Sequence, residues 1–320
     1  MNLSMIRYIA GWILSFEAAF FFFFCLIALL YREKEGIAFV AVLLVCLAIG
    51  LLLVWKKPKN TVFFAKEGFV SAALCWIIMS IFGALPFVLC GDIPSFTDAL
   101  FETISGFTTT GASILKDVES LSRCSMFWRC FTHWIGGMGV IVFLMTVLPL
   151  TGGSWIHLLR AESPGPSVGK LVPRMRHTAG ILYLIYLCMT IIEIVLLLFG
   201  GMNWFDAVTI SFGTAGTGGF SILNSGFVTY SSYVKIVVAV FMMLFGVNFN
   251  VYFLMLNRKF VQALRCEELR YYLMIIGIST LIITLNILSI CGSFGKALEE
   301  AFFQVSSIIT TTGFASADFN

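Results

Sequence analysis

Long apolar runs recur along the whole chain, and they restrict its possible folds more than any other feature. A helix needs about 20 apolar residues to cross a bilayer. Seven runs approach or exceed this length: residues 8–30, 36–55, 69–91, 127–149, 178–200, 233–256 and 271–291. Hydrophobic residues make up 59% of the 320-residue chain and charged residues only 12%, too much apolar surface for one soluble core. We therefore predict an all-α protein with seven membrane spans.

The first apolar run resembles a signal peptide because Arg7 precedes it. However, it is longer than the roughly 7 to 15 residues of a secretory apolar segment. No small-x-small cleavage site occurs before the charged residues 32–35. We therefore predict that residues 8–30 form a membrane span.

Basic residues cluster in every second loop, and basic loops stay on the cytoplasmic side of a membrane. The clusters follow spans 2, 4 and 6: Lys56, Lys57, Lys59 and Lys66; Arg160, Lys170, Arg174 and Arg176; Arg258, Lys259, Arg265 and Arg270. The loop after span 3 is mainly acidic, with Asp92, Asp98, Glu102, Asp117 and Glu119. We predict a cytoplasmic N-terminus, and we prefer this topology to nucleic-acid binding as the explanation of the basic clusters.

The nine cysteines and three histidines show no metal-ligand spacing. Cysteines inside apolar runs are expected to pack as small hydrophobic residues. Cys90, Cys124 and Cys291 fall near the predicted outer side, so a disulfide among them stays open. No paired acids, Cys/His dyad or HExxH motif lies in a predicted span, so we predict neither an enzyme nor a cofactor.

Three segments after spans 3, 5 and 7 align with one another without gaps. They are DALFETISGFTTTGAS (residues 98–113), DAVTISFGTAGTGGFS (206–221) and EAFFQVSSIITTTGFA (300–315). Each begins with an acidic residue and Ala, and each ends in a Thr-x-Gly turn at the same distance. Internal repeats define the folding unit of a chain. Here the predicted unit is a span, a re-entrant helix, a turn and a second span.

The helical part of each segment is too short to cross a membrane, so we predict re-entrant helices at about residues 97–107, 205–215 and 299–309. Non-helical backbone at membrane depth is tolerated where it lines a cavity, so the Thr-x-Gly turns are predicted to form a pore wall. Glycine reaches φ values closed to other residues, which lets carbonyl oxygens face one axis. The negative C-terminal end of each helix dipole favours a cation there.

The repeats divide the chain into four predicted parts: two extra N-terminal spans (residues 1–66), a first pore repeat (67–160), a connector with a second pore repeat (161–265) and an incomplete third repeat (266–320). A carbonyl filter works best with four equivalent turns, as in potassium channels. Three turns are present. We therefore expect a pseudo-fourfold arrangement whose fourth repeat lies outside this sequence.

These motifs resemble the TrkH-type membrane subunits of the Trk/Ktr/HKT superfamily of potassium transporters. Besides the turns TTTGA, TGGFS and TTTGFA, the segment HWIGGMGVIVF (residues 133–143) resembles the first inner helix of the family. RAESPGPSVGKLVPR (residues 160–174) resembles its cytoplasmic connector. The two extra N-terminal spans favour the TrkH branch over the KtrB branch.

The resemblance implies K+ uptake across the bacterial inner membrane, a homodimer, and gating by a cytoplasmic TrkA-type regulator that binds NAD or ATP. It implies that backbone carbonyls coordinate K+ at Thr109, Thr110, Gly111 and Ala112; Thr217, Gly218, Gly219 and Phe220; Thr311, Thr312, Gly313 and Phe314. The Thr217-Gly218 pair departs from the family pattern by adding flexibility, which bears on the strength of selectivity. A Na+-coupled or poorly selective cation transporter of the same superfamily is the alternative.

The connector, residues 160–177, is basic and contains prolines that prevent one regular helix. We predict that it contacts a soluble regulator, and the alternative role is a positive-inside anchor. The run GTAGTGG (residues 213–219) resembles a phosphate-binding loop, but no Lys-Ser/Thr pair follows it and no strand precedes it.

The sequence allows two interpretations for several polar or small residues inside the predicted spans. Close packing is favoured over a hinge for Gly136, Gly137 and Gly139. Glu17 and Glu193 fit either a structural ion pair or a role in transport. Hydrogen bonds between helices are favoured over an aqueous vestibule for Asn248 and Asn250. At the level of the whole chain, the alternative class is a non-conducting scaffold or an intramembrane enzyme.

Overall fold

The computed structural model describes residues 2–58, 65–139 and 172–317, with residues 65 and 172–179 described by their backbone alone. All regular secondary structure in these ranges is helical. The helices are α1 (Leu3–Tyr31), α2 (Gly36–Val54), α3 (Ala65–Cys90), α4 (Phe96–Phe107), α5 (Arg123–Met138), α6 (Val172–Phe199), α7 (Trp204–Ala215), α8 (Ser232–Phe245), α9 (Phe249–Leu256), α10 (Phe260–Leu264), α11 (Glu267–Cys291) and α12 (Phe294–Ile309).

Five of these helices, α1, α2, α3, α6 and α11, are long and apolar enough to cross a membrane. They confirm the predicted spans 1, 2, 3, 5 and 7, with ends shifted by a few residues. Helix α5 covers the start of predicted span 4, and residues 140–149 lie outside the described part of the chain. Residues 160–171 of the connector lie outside it as well, and residues 172–177 form the first part of α6.

The span predicted over residues 233–256 is not one continuous helix. Helices α8 and α9 occupy this stretch, and their axes differ by 86°. Helix α8 is closed by Gly246, and the Asn248 side chain accepts a hydrogen bond from the Asn250 amide to begin α9. The glycine is a signal for the end of one helix, and the polar N-cap two residues later is a signal for the start of the next. An average of hydropathy detects neither signal.

Two tyrosines satisfy backbone carbonyls next to this break. The Tyr252 hydroxyl donates to the Leu244 carbonyl at 2.6 Å, and the Tyr272 hydroxyl donates to the Met243 carbonyl at 3.0 Å. Carbonyls at a helix end in an apolar environment need such partners, because no water replaces them. The break is therefore a built feature of the fold.

The chain divides into two compact units, and each is described by itself. The first contains Met1–Phe107, Ser113–Lys116 and Ser120–Gly180. The second contains Thr108–Ala112, Asp117–Glu119 and Ile181–Asn320. All three Thr-x-Gly turns therefore belong to the second unit.

Aromatic side chains form the core of the first unit. Phe21, Phe24, Phe39 and Trp128 are fully buried, and the rings of Phe24 and Trp128 lie 5.0 Å apart in an edge-to-face arrangement. The indole N–H of Trp128 donates to the Gly83 carbonyl at 2.9 Å, so this buried polar group is satisfied. Helices α1, α2, α3 and α5 meet at this cluster.

Candidate ion-binding turns

Helices α4 and α7 match the predicted re-entrant helices to within one residue, whereas α12 ends as predicted at Ile309 but begins earlier, at Phe294. Each of the three leads directly into a Thr-x-Gly turn. Helix α7 begins with a side-chain cap, because Asn203 accepts a hydrogen bond from the Asp206 amide at 2.9 Å. Asp98 and Asp206 lie in the first turns of α4 and α7, where a negative charge is favourable. The opposite, partially negative helix ends meet the turns.

The threonine that opens each turn has an unusual backbone conformation. Its φ is +54° at Thr109, +50° at Thr217 and +60° at Thr311. A β-branched residue rarely adopts positive φ, and such strain persists only where the surrounding structure holds it. Three copies of the same strained geometry at aligned positions indicate one functional design.

The glycine two residues later also has positive φ: +75° at Gly111, +78° at Gly219 and +84° at Gly313. The intervening residues, Thr110, Gly218 and Thr312, do not have positive φ. Residues that alternate in the sign of φ turn successive carbonyls to the same side of the backbone. This is the geometry that a row of cation-binding carbonyls requires.

Amide groups of the second and third turns point back to their helices. The Gly218 amide donates to the Gly213 carbonyl at 3.0 Å, and the Thr312 amide donates to the Ser307 carbonyl at 2.9 Å. The backbone donors are therefore used by the helix end. The Ser307 hydroxyl donates to the Phe314 carbonyl at 2.7 Å, so that carbonyl is also engaged with α12.

The three turns touch one another in a fixed order. A Cβ on Gly111 would overlap the carbonyl oxygen of Gly218, and a Cβ on Gly219 would overlap the carbonyl oxygen of Thr312. The glycine of one turn therefore lies against the middle carbonyl of the next turn, in two equal steps. A Cβ on Gly313 would meet no atom of the described residues within 4 Å.

Threonine hydroxyls stiffen the first and third turns. Thr108 and Thr110 share a hydroxyl hydrogen bond of 2.8 Å, and so do Thr310 and Thr312. The aligned positions in the second turn are both glycine, so this bond is absent there. The second turn therefore lacks the hydroxyl bond that supports the other two turns. This is the structural basis of the flexibility that the sequence predicted at Thr217-Gly218.

The last predicted position differs between the turns. Ala112 is exposed, whereas the Phe220 and Phe314 side chains are buried. The ring of Phe314 packs on that of Phe227 with centroids 4.7 Å apart. The two phenylalanines therefore anchor the second and third turns in the core.

The loops that leave the turns are linked to one another. The Asn224 side-chain amide donates to Asp117 at 2.7 Å and its side-chain oxygen accepts from the Val118 amide at 2.9 Å. The Asn224 amide N–H in turn donates to Glu119 at 2.9 Å. A further bond of 2.8 Å runs from the Phe227 amide to the Ala315 carbonyl, which ties the second loop to the third.

A cavity of about 530 Å³ opens beside the second and third turns, and Gly219, Asn224 and Gly313 are among the residues that line it. Tyr230 lies on the same loop as Asn224. Burial raises the pKa of the Tyr230 hydroxyl, and the carboxylates of Asp206 and Glu119 raise it further. The hydroxyl therefore stays neutral at physiological pH.

Glu102, which the sequence assigned both to the acidic outer charges and to the first re-entrant helix, is a buried residue of α4. Only 1% of it is exposed, and its carboxylate binds the Arg129 guanidinium at 2.6 Å. The sequence interpretation missed this pair. An arginine inside predicted span 4 was the available signal, because an intramembrane cation requires a partner.

The two carboxyl groups singled out inside spans are both fully buried. Among the described residues neither Glu17 nor Glu193 forms an ion pair or a hydrogen bond of normal length, so the ion-pair interpretation finds no support. Both Asn248 and Asn250 are exposed, and Asn248 donates to Glu268 of α11 at 3.0 Å, as predicted for a bond between helices.

The remaining expectations concern glycines and cysteines. The run at residues 213–219 lies at the C-terminal end of α7, whereas a phosphate-binding loop precedes a helix N-terminus. Gly139, with φ of +72°, ends α5. Among the described residues no two cysteines form a disulfide, Cys90 and Cys124 included.

Comparison with known proteins identifies the family. Residues 35–320 match the family model TrkH, described as a cation transport protein. The potassium uptake protein TrkH of the Trk system from Escherichia coli (strain K12) is 36% identical over 302 residues, which are 91% of this chain and 62% of that protein. Its counterpart from Halomonas elongata is 33% identical over 331 residues, with 100% and 68% covered.

A solved structure agrees with this result. The crystal structure of the potassium transporter TrkH from Vibrio parahaemolyticus superposes with a TM-score of 0.82 at 30% identity, over 99% of this chain and 66% of that one. The chain thus spans about two thirds of the length of these relatives, 62% in the case of the Escherichia coli protein. The chain belongs to the TrkH family of cation transport proteins.

Proposed function

We propose that this chain forms most of the ion-conducting path of a bacterial K+-uptake protein. The observation that carries the proposal is the threefold Thr-x-Gly geometry, with positive φ at the threonine and at the glycine of every turn. Carbonyls aligned in this way replace the hydration shell of a K+ ion. The names of the relatives, potassium uptake proteins of the Trk system, support K+ as the transported ion.

The carbonyls of the first three residues of each turn are the proposed ligands, together with the carbonyls of Ala112 and Phe220. In the third turn, Phe314 is set apart because its carbonyl already accepts from Ser307. The turns bring no side-chain charge to the ion. Weak, neutral ligands suit a site that an ion must also leave.

The order of contacts between the turns supports a ring about one axis. Head-to-tail contacts that repeat with the same step close into a ring when the rotation allows it. Gly111 against Gly218 and Gly219 against Thr312 are two such steps. We propose that they belong to a pseudo-fourfold filter in which a fourth turn lies between the third and the first.

We further propose that the protein is a homodimer in the cytoplasmic membrane, with its N-terminus inside, and that a TrkA-type nucleotide-binding regulator gates it. The relatives are named as parts of a Trk system, which supports a further component. The connector at residues 160–177 is the proposed contact with this regulator.

Scrambling residues 163–170 tests the contact. We expect the variant to lose its response to nucleotide while its ion selectivity stays constant. An unchanged response would favour the role of the connector as a positive-inside anchor.

The test of K+ uptake uses the protein expressed from its complete gene in cells that lack their own K+-uptake systems. We expect growth at low external K+ and uptake of radioactive Rb+ that K+ inhibits and Na+ does not. Cells with the empty vector are the control. Uptake inhibited equally by Na+ and K+ would favour the poorly selective alternative, and no uptake in correctly inserted protein would refute the proposal.

A further inference from the structure

The buried carboxylate of Glu102 forms hydrogen bonds with the two residues that follow the first turn, Ser113 and Ile114. Glu102 Oε1 accepts from the Ser113 hydroxyl at 2.9 Å, and Glu102 Oε2 accepts from the Ile114 amide at 3.0 Å. The same carboxylate is paired with Arg129, whose Nε lies 2.6 Å from Oε1. Ser113 directly follows Ala112, the last residue of the turn.

The third repeat contains the same chemistry from different positions. The Ser316 hydroxyl donates to Glu300, and Gln304 donates to the Ser316 hydroxyl at 3.1 Å. The Lys235 ammonium binds the other oxygen of Glu300 at 2.9 Å. Gln304 occupies the position that aligns with Glu102. Two repeats thus reach one arrangement, with a serine after the turn, a carboxylate on the short helix and a cation from an inner helix.

The second repeat is built differently. Ile210 takes the position that aligns with Glu102, and the Ser221 hydroxyl donates to the Leu223 carbonyl at 2.8 Å and accepts from the Leu223 amide at 3.1 Å. These bonds remain within its own loop. This loop is also held from outside its repeat, because Glu119 accepts from the Asn224 amide at 2.9 Å.

We propose that Glu102 and Glu300 are positioning residues for ion selectivity. A filter turn has two ends: its helix fixes the first, and in these two repeats the carboxylate fixes the second. Hydrogen bonds to a charged acceptor are about twice as strong as neutral ones. A buried carboxylate stays favourable only with a paired cation, which Arg129 and Lys235 supply. This inference rests on the proposed K+ filter. It names the residues that keep the carbonyls of that filter aligned.

The serines give the mildest test, because Ser113 is exposed and its replacement leaves the Glu102 pair with Arg129 intact. Ser113→Ala and Ser316→Ala remove the hydroxyl that joins each exit to its carboxylate. We expect the ratio of Rb+ to Na+ flux in proteoliposomes of the complete protein to fall by about three- to tenfold in each variant. Thermal unfolding of purified Ser113→Ala should stay at the wild-type temperature, whereas Ser316 is buried and its variant is compared at its own unfolding midpoint.

The carboxylate is tested by Glu102→Gln, with Asp98→Asn as the matched control on the same helix. The Asp98 side chain forms no hydrogen bond within the described chain, so its variant should keep the wild-type flux ratio. Because Glu102→Gln leaves Arg129 buried without its anion, the exchanged pair E102R with R129E is measured as well. The exchange restores the ion pair but removes the acceptor for Ser113 and Ile114.

We expect the flux ratio to fall by about tenfold in Glu102→Gln and to stay low in the exchanged pair. Recovery of the ratio in the exchanged pair would show that the pair serves folding alone, and it would overturn the inference. Wild-type ratios in both serine variants would overturn it too. Failure of the proposed function is a separate outcome, because the wild-type protein itself would then show no preference for Rb+ over Na+.

Discussion

Strained threonines are the most informative single residues of this protein. A β-branched residue at positive φ costs free energy, of the order of 1 to 3 kcal/mol at each site. Thr109, Thr217 and Thr311 all bear this cost. The sequence predicted their importance from their spacing to glycine, but it did not predict their conformation. Only the surrounding turn decides which side of the Ramachandran map a threonine occupies.

Gly219→Ser tests the turns at the scale of one residue. Gly219 has φ of +78°, and a Cβ there would overlap the Thr312 carbonyl oxygen, so the serine must move one or both turns. We expect the K+ preference over Na+ to relax, because carbonyls from two neighbouring turns lose their alignment. The measurement is the ratio of K+ to Na+ flux in proteoliposomes of the complete protein.

Glu193→Gln is the control for that experiment. Glu193 is fully buried and lies outside the turns, so we expect the flux ratio to stay at the wild-type value even if total activity falls. The opposite pair of results, normal selectivity in Gly219→Ser and lost selectivity in Glu193→Gln, would replace the carbonyl filter with a side-chain cation site.

At the scale of elements, hydrophobic length predicted the helices well and their interruptions poorly. Helices α1, α2 and α11 follow from apolar runs alone. The break between α8 and α9 does not, because its neighbours are as apolar as any span. Its cause lies in Gly246 and Asn248, and in the hydroxyls of Tyr252, in α9 itself, and Tyr272, in α11, which bind carbonyls at the end of α8. A hydropathy window registers neither the cap nor these hydrogen bonds.

Gly246→Ala tests whether the break is tightly packed. Gly246 has an ordinary helical φ, so strain of the backbone does not enter. Its Cβ would lie 2.6 Å from the Tyr272 hydroxyl oxygen and 2.7 Å from the Thr310 Cγ2 atom. We expect a loss of about 1 to 3 kcal/mol of stability, as for other overpacked sites, measured as a lower midpoint of thermal unfolding in detergent.

The matched control is Gly277→Ala in α11. A Cβ at Gly277 meets no atom within 4 Å among the described residues. Alanine has a higher helix propensity than glycine by up to about 1 kcal/mol, so this variant should unfold at the same or a slightly higher temperature. Equal unfolding midpoints for the two variants would mean that the residues around Gly246 move aside for the added methyl group without loss of stability.

At the scale of the whole molecule, the alternation of basic and acidic loops predicts the orientation in the membrane. Reporter fusions after residue 58 and after residue 117 test it, with alkaline phosphatase active outside the cytoplasm and a fluorescent protein active inside. The first site follows Lys56 and Lys57, and the second lies in the acidic loop of Asp117 and Glu119. We expect fluorescence from the first and phosphatase activity from the second. The reverse result would place the N-terminus outside.

The ion pairs show what the whole-molecule charge pattern could not predict. Glu102 was counted among the acidic outer charges, although it lies in the predicted re-entrant helix, and Arg129 was counted as part of an apolar span, yet the two form a buried pair. A net charge per loop treats every charge as solvated. Pairing depends on which helix faces which, and that is decided by packing over the whole chain.

The position of the three turns on one chain also has a genetic consequence. In a channel built from four copies of one chain, a single codon change alters every wall of the filter at once. Here the three walls of the proposed filter lie on one polypeptide, so each codon changes the sequence of one wall alone. Selection can therefore adjust the proposed filter one wall at a time. Gly216 and Gly218, at the positions where the other two walls have paired threonines, are the kind of difference that such a gene can accumulate.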